Sequence, residues 1–125
     1  MDEATRKTVE AAVRTAFEAY ETALVTNDVE ALIDLFADSP HTVRMMNDSG
    51  LYGFEDIAAF RRARDPGDVA RTLTRVEIHA LSPQIAVATA EYKRTNSGKK
   101  GCQSQVWQLG PHGWKVAAAH VSLGA

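Results

Sequence analysis

The sequence predicts an α+β chain in which three helices from its first half pack on one face of a curved, mostly antiparallel sheet, giving a cone. Two observations carry that prediction, and a third points to a polar pocket inside it. Helical periodicity is confined to the first half. Four strand-like runs fill the second half, joined by short turns. Arginines lie on the apolar side of the third helix, where a core alone would not place them.

Residues 3–26 read as a long amphipathic helix. Val9, Val13, Ala16, Phe17, Tyr20 and Leu24 recur at three- and four-residue spacing, while Glu10, Arg14, Glu18 and Glu21 lie mostly on the other side. Asn27 reads as the N-cap of a second helix, with Glu30 completing a capping box. That helix runs through Leu32, Leu35 and Phe36 until Pro40 forbids its continuation. The alternation over 42–46 predicts a half-buried strand carrying Arg44. Asn47 to Gly50 is a turn, and Leu51 and Tyr52 return as a second short strand.

The third helix spans 53–64 and stops before the breaker Asp65-Pro66-Gly67. Its 3.6-residue period puts Phe54, Ile57, Phe60, Arg61 and Arg64 on one broad face and Arg62 elsewhere. A guanidinium on a core-facing stripe must meet an anion, acceptors or water, because an unpaired buried charge is too costly. The interior is therefore expected to hold a polar pocket suited to an anion. Strand-like runs follow at 70–81, 84–95, 101–109 and 113–123. Their short connections, such as Ser82-Pro83 and Gly110-Pro111-His112, predict an antiparallel meander.

The chain's 125 residues fit a single domain over 1–125, and its formal charge of −2 favours neither nucleic acid nor an anionic membrane as partner. One cysteine, Cys102, excludes an internal disulfide and fits a reducing compartment. Without an apolar run of spanning length or a secretory signal, the expectation is a cytoplasmic protein. His41, His79, His112 and His120 lack paired metal-ligand spacing, and no phosphate loop or dinucleotide fingerprint is present, so neither metal nor cofactor is expected. Lys99 and Lys100 read as a solvated turn.

Beyond composition, specific residues carry a resemblance. Phe17-x-x-Tyr20-Glu21-x-Ala23-Leu24 is followed by Asn27-Asp28, Leu35-Phe36, Pro40 and Thr42-Val43-Arg44. Then come Leu51-Tyr52-Gly53, Phe60-Arg61, Arg64, Gln103-Ser104-Gln105, Gly113-Trp114 and Ala118-Ala119-His120-Val121-Ser122. Together they resemble the AtzH-like family within the nuclear-transport-factor-2-like (SnoaL-like) cones. The resemblance implies a cytoplasmic, metal-free enzyme or pathway accessory in the breakdown of nitrogen-rich acids. One family activity is decarboxylating amide hydrolysis of a dicarboxylated urea, and other members are associated with oxalurate catabolism. The family's functional tyrosine and arginine fall on Tyr20 and Arg44. Relatives usually carry Tyr-Gly and then a glutamate where this chain has Met45, Met46 and Ser49, and an arginine where it has Cys102. Those departures are expected to remove a phenol, a carboxylate and a positive charge from near the mouth or wall of the pocket.

Each candidate also has a plain structural explanation. Tyr20 can be a packed core tyrosine, or a proton donor to substrate; beside a guanidinium it can become a base. Arg44 can pair with an acid such as Glu91, or clamp a substrate carboxylate with its planar fork. Arg61 and Arg64 have the same two readings, and Arg64 can instead cap helix carbonyls. Alternation puts Gln103, Gln105 and Trp107 on one face and Cys102 and Ser104 on the other. It puts Trp114, Val116, Ala118, His120 and Ser122 together, leaving His120 as a core histidine or a ligand contact.

The resulting expectation is an amidohydrolase acting on a small anionic amide, carbamate or carboxylated urea. Tyr20 and Arg44 are its catalytic residues, with Arg61, Arg64, Gln103, Gln105 and His120 binding substrate. The alternatives are a non-catalytic acid-binding module or amidase accessory and, more weakly, an isomerase or cyclase. A homodimer is expected, its outer face covered by residues such as Val76, Ile78, Ala86, Ala88 and Val106.

Overall fold

The computed structural model describes residues 1–65 and 67–124; Pro66, part of the expected breaker, lies outside them. The order is α1 (Glu3–Val25), α2 (Val29–Asp34), β1 (Val43–Met45), β2 (Gly50–Tyr52), α3 (Phe54–Ala63), β3 (Arg71–Ser82), β4 (Ile85–Arg94), β5 (Lys100–Gly110) and β6 (Gly113–Leu123). The strands form one sheet in the order β2-β1-β6-β5-β4-β3. All neighbours are antiparallel except β1 with β6. The α+β architecture is the one expected. No described helix is long and apolar enough to cross a membrane.

The first helix is capped by the Asp2 carboxylate, which accepts from Thr5 N–H at 2.7 Å. Its other end differs from the expectation. Asn27 is not an N-cap but takes φ 55°, with Asn27 N–H donating to Leu24 O and Asp28 N–H to Ala23 O. These two bonds are the Schellman pattern, and asparagine tolerates the left-handed conformation it needs. Asp28 then caps α2, its Oδ1 accepting from Ala31 N–H at 3.3 Å, while Glu30 pairs outward with Arg62 instead of closing a capping box.

The second helix stops six residues before Pro40. Phe36 is drawn into a parallel bridge with Val116, and Val116 N–H donates to Leu35 O at 2.8 Å. Tertiary pairing, not proline, ends it. At the start of α3, Gly53 sits at φ 92° with its N–H on Thr42 O at 2.7 Å; the left-handed backbone there favours glycine.

The core lies between α1 and the inner face of the sheet. Val13, Phe17 and Tyr20 pack toward Ile78, Ala80, Trp107 and Val116. Ala86, Ala88 and Ala90 on β4 are buried, and their small side chains let the helix approach closely. This corrects the expected outer surface: Ile78, Ala86 and Ala88 face the core, Val76 packs against it, and among those residues Val106 alone turns outward. Register shifts in β3 and β6 bend the strands, as bulges do. In β6, Val106 pairs Ala118 but Trp107 pairs Val116, so Ala117 is an extra residue and the alternation flips there. Trp114 and Val116 point inward, but so do Ala119 and Val121. Ala118, His120 and Ser122 share the outer face, against the uninterrupted alternation expected.

Candidate active site

At the open end of the cone is a cavity of about 270 Å³, lined by Tyr20 and Leu24 of α1, Arg44 of β1, and Phe60, Arg61 and Arg64 at the end of α3. Arg71, Tyr92, Arg94, Gln103 and Gln105 form the opposite side. Residues 46–49 and the end of β6 make the rim. Register explains the assembly. Ala88 pairs Gln105, Gln105 pairs Ala119, and Ala119 pairs Arg44, so one cross-strand row carries Arg44 and Gln105 inward together with two small residues.

The first wall is built on Tyr20. Its ring meets Phe36 and Trp107 edge-on, at centroid distances of 5.9 and 6.3 Å, and is 3% exposed. Arg61 Nη2 donates to the Tyr20 hydroxyl at 2.9 Å. The guanidinium has no acceptor to offer in return, so the phenolic hydrogen is left to point elsewhere. Arg44 and Arg61 are buried, and each guanidinium lies by an aromatic ring, Phe60 at 5.4 Å and Phe36 at 5.8 Å.

Among the described residues, Arg44 Nη1 and Arg61 Nε and Nη1 are buried without a hydrogen-bond partner. Burial, with the nearby Arg61 charge second, pushes Arg44 down to about 10, still fully charged at neutral pH. Glu91, the acid considered for Arg44, faces the outer side, opposite Arg75 in the strand register.

The second wall holds its arginine differently. Arg71 Nε donates to Glu21 Oε2 at 3.1 Å, and Nη2 donates to both Glu21 Oε1 and Gln103 Oε1, the latter at 2.8 Å. Gln103 Nε2 donates to Glu21 at 3.1 Å, and the Arg71 guanidinium stacks 4.3 Å from the Tyr92 ring centroid. Gln103 therefore uses its carbonyl and one amide hydrogen within the wall. Gln105 Oε1 accepts from the Trp107 indole at 3.1 Å; an indole N–H only donates, so what Gln105 can present to the cavity is its amide N–H.

Arg64, just past the end of α3 in extended backbone, lines the cavity; burial first and Arg61 second lower its pKa. His120 borders the cavity mouth but is exposed, with its side chain on the outer face beside Met45. Arg62 points away from the cavity, as the helical period predicts, and forms an exposed pair with Glu30.

Sequence reasoning missed Glu21, Arg71, Tyr92, Arg94 and Asn47. Glu21 was placed on the solvent side of α1, yet Phe17, Glu21 and Leu24 fall at i, i+4 and i+7, and that spacing was the available signal. The Asn47 side chain pairs with Leu123 backbone N–H and C=O at 2.9 and 2.8 Å, pinning the rim loop to the end of β6. Nothing local marks it.

The AtzH-like family model matches residues 2–125. The chain belongs to that family. No curated protein matches it. A solved protein of unknown function from Pectobacterium atrosepticum is 44% identical, over 94% of this chain and 92% of that one, with a TM-score of 0.89. A cystatin-like fold protein from Burkholderia xenovorans is 38% identical over 94% and 93%, with a TM-score of 0.86. A nuclear-transport-factor-2-like superfamily protein from Salmonella enterica is 26% identical over 95% and 93%, with a TM-score of 0.75.

Met45 and Cys102 lie on the outer face, away from the cavity, so changes there do not alter its lining, contrary to expectation. Met46 and Ser49 do line its mouth.

Proposed function

We propose that this AtzH-like chain is a hydrolase that cleaves a small carboxylated amide, carbamate or urea, with loss of the carboxyl group where the substrate is an N-carboxylate. The observation that carries this reading is the set of three idle, buried guanidinium nitrogens of Arg44 and Arg61 around one phenol. Buried cations with unused donors are costly, and a bound carboxylate would complete them with charge-assisted hydrogen bonds.

In this reading Arg44 and Arg61 hold the carboxylate or carbonyl that stays with the substrate. For an amide or urea, water adds to the carbonyl carbon. As the C–N bond breaks, Tyr20, its oxygen held by Arg61, gives its proton to the departing nitrogen, leaving the acid and the free amine. For an N-carboxylate, that proton converts R–NH–CO₂⁻ into R–NH₂ and carbon dioxide. The tyrosinate left behind faces two guanidiniums and is reprotonated from water. Gln105 N–H and the spare Gln103 N–H orient substrate carbonyls, and Arg64 draws the anion in at the mouth. Five arginines line a cavity of about 270 Å³, which favours a compact anion over the apolar ligand an isomerase or cyclase would take.

A second reading is a non-catalytic acid-binding module or amidase accessory. Met46 and Ser49 favour it, since they stand at the mouth where AtzH-like relatives usually carry a glycine and a glutamate. Thermal-shift measurement against carboxylated amides, ureas and carbamates, paired with ammonia and carbon dioxide release, separates the two. A ligand at a hundred times its dissociation constant should add about 2.7 kcal/mol. Stabilisation with product release, both lost in Arg44→Ala, supports the hydrolase. Stabilisation without release supports the binding module. No response to any anion rejects both.

A further inference from the structure

The wall opposite Arg44 already contains a carboxylate bound as a ligand would be. Glu21 engages the Nε/Nη2 edge of Arg71 with both oxygens, and Gln103 bridges the two groups. The side chains are 6% exposed for Arg71 and 13% for Glu21, so the pair is shielded from water and is held in place from below by the Tyr92 ring. Arg71 lines the cavity along with Arg44 and Arg61, but its Nε and Nη2 donors are taken, which leaves one nitrogen, Nη1, without a protein partner among the described residues. A ligand carboxylate could grip Arg71 through two nitrogens only by displacing Glu21 or Gln103, and displacing Glu21 leaves a buried carboxylate without its partner.

From this we infer that Glu21 is a specificity-determining residue: by occupying the fork of Arg71 it limits how many carboxylates the cavity accepts, selecting against ligands that carry one more than Arg44 and Arg61 can hold. The inference rests on the cavity being an anion site. Residues on three elements make the device, α1 supplying the blocking carboxylate, β3 the arginine and β5 the glutamine that fixes both. Because Glu21 directly follows Tyr20 on α1, the blocked fork and the proposed proton donor stay at a constant separation.

The test is calorimetric titration of the full chain with malonate and with propane-1,2,3-tricarboxylate. In the wild type the tricarboxylate binds no tighter than malonate. In Glu21→Gln the opened fork raises the tricarboxylate-to-malonate affinity ratio by about tenfold or more, the scale of one added charge-assisted pair. An unchanged ratio overturns the inference. Should Glu21→Gln fail to fold, the charge-free pair Glu21→Gln/Arg71→Met decides alone. Its malonate affinity stays within about threefold of wild type if Arg71 is occupied by Glu21, and a fall beyond about tenfold overturns the inference by showing that Arg71 holds the ligand itself. Wild-type protein that binds neither anion defeats the anion-site reading, and this inference with it. That result differs from a failure in which the wild type binds and the variants do not discriminate.

Discussion

The two walls of the cavity carry the same side chain in opposite states. On the wall of β1 and α3, Arg44 and Arg61 are buried with donors unused. On the wall of β3 and β5, Arg71 is buried with its fork filled by Glu21 and its face covered by Tyr92. A paired buried arginine belongs to the structure, and an unpaired one is held there at a cost to it. The difference teaches which arginines to assign to a ligand, and it implies that one substitution should have opposite effects on the two walls.

The largest effect is expected at Arg71. Arg71→Met removes one partner of a buried pair and strands Glu21, so stability should fall by about 3 kcal/mol. Chemical denaturation measures it, and a neutral result would mean the pair is not structural. Replacing Glu21 as well should recover much of the loss, because removing both charges leaves nothing unpaired.

Next comes Tyr20. Tyr20→Phe keeps the ring between Phe36 and Trp107 and removes only the hydroxyl that Arg61 holds. Turnover should fall by about a hundredfold, as for loss of one oriented donor, with ligand affinity much less affected. Steady-state kinetics on the substrate found by screening would show it, and unchanged turnover would remove Tyr20 from the chemistry.

Arg44→Met should change stability in the other direction. Burial depresses Arg44 from its ordinary value to about 10, so below that pH the folded state carries a cation it solvates worse than the unfolded chain does. The cost is fully present at neutral pH and is relieved only as pH rises through about 10 toward the unfolded value. The variant should therefore gain about 1–2 kcal/mol at neutral pH, less than the full shift because packing is lost, and the advantage should shrink above pH 10. Its stabilisation by carboxylates should disappear. Stability lost and anion binding kept would reverse the assignment of the two walls.

The legibility of the sequence follows the same division. Helix periodicity and the spacing of turns made the layers readable, and they put Arg61 inside and Arg62 outside correctly, because each rests on local geometry. Glu21 was misplaced since an acid on the flank of a helix is usually solvated; only Arg71, fifty residues on, turns it inward. His120 was misplaced because one extra residue at Ala117, invisible in the sequence, flips every later side chain of β6. The early end of α2 came from a bridge between Phe36 and Val116, which no helix signal encodes.

The smallest effect is expected at Arg62, one residue from Arg61 on the same helix. Its guanidinium meets Glu30 with two hydrogen bonds of 3.1 and 3.0 Å, a better-formed pair by geometry than anything Arg44 makes within the protein. Yet both side chains are more than half exposed, so water replaces each partner and salt screens the attraction. The pairing holds Glu30 below, and Arg62 above, its ordinary value, but in so exposed a place that preference carries little weight for folding. Arg62→Ala should leave the thermal midpoint, anion affinity and turnover at their wild-type values. A loss of anion binding there would mean that the field of α3 as a whole, and not the open donors of Arg44 and Arg61, draws the ligand in.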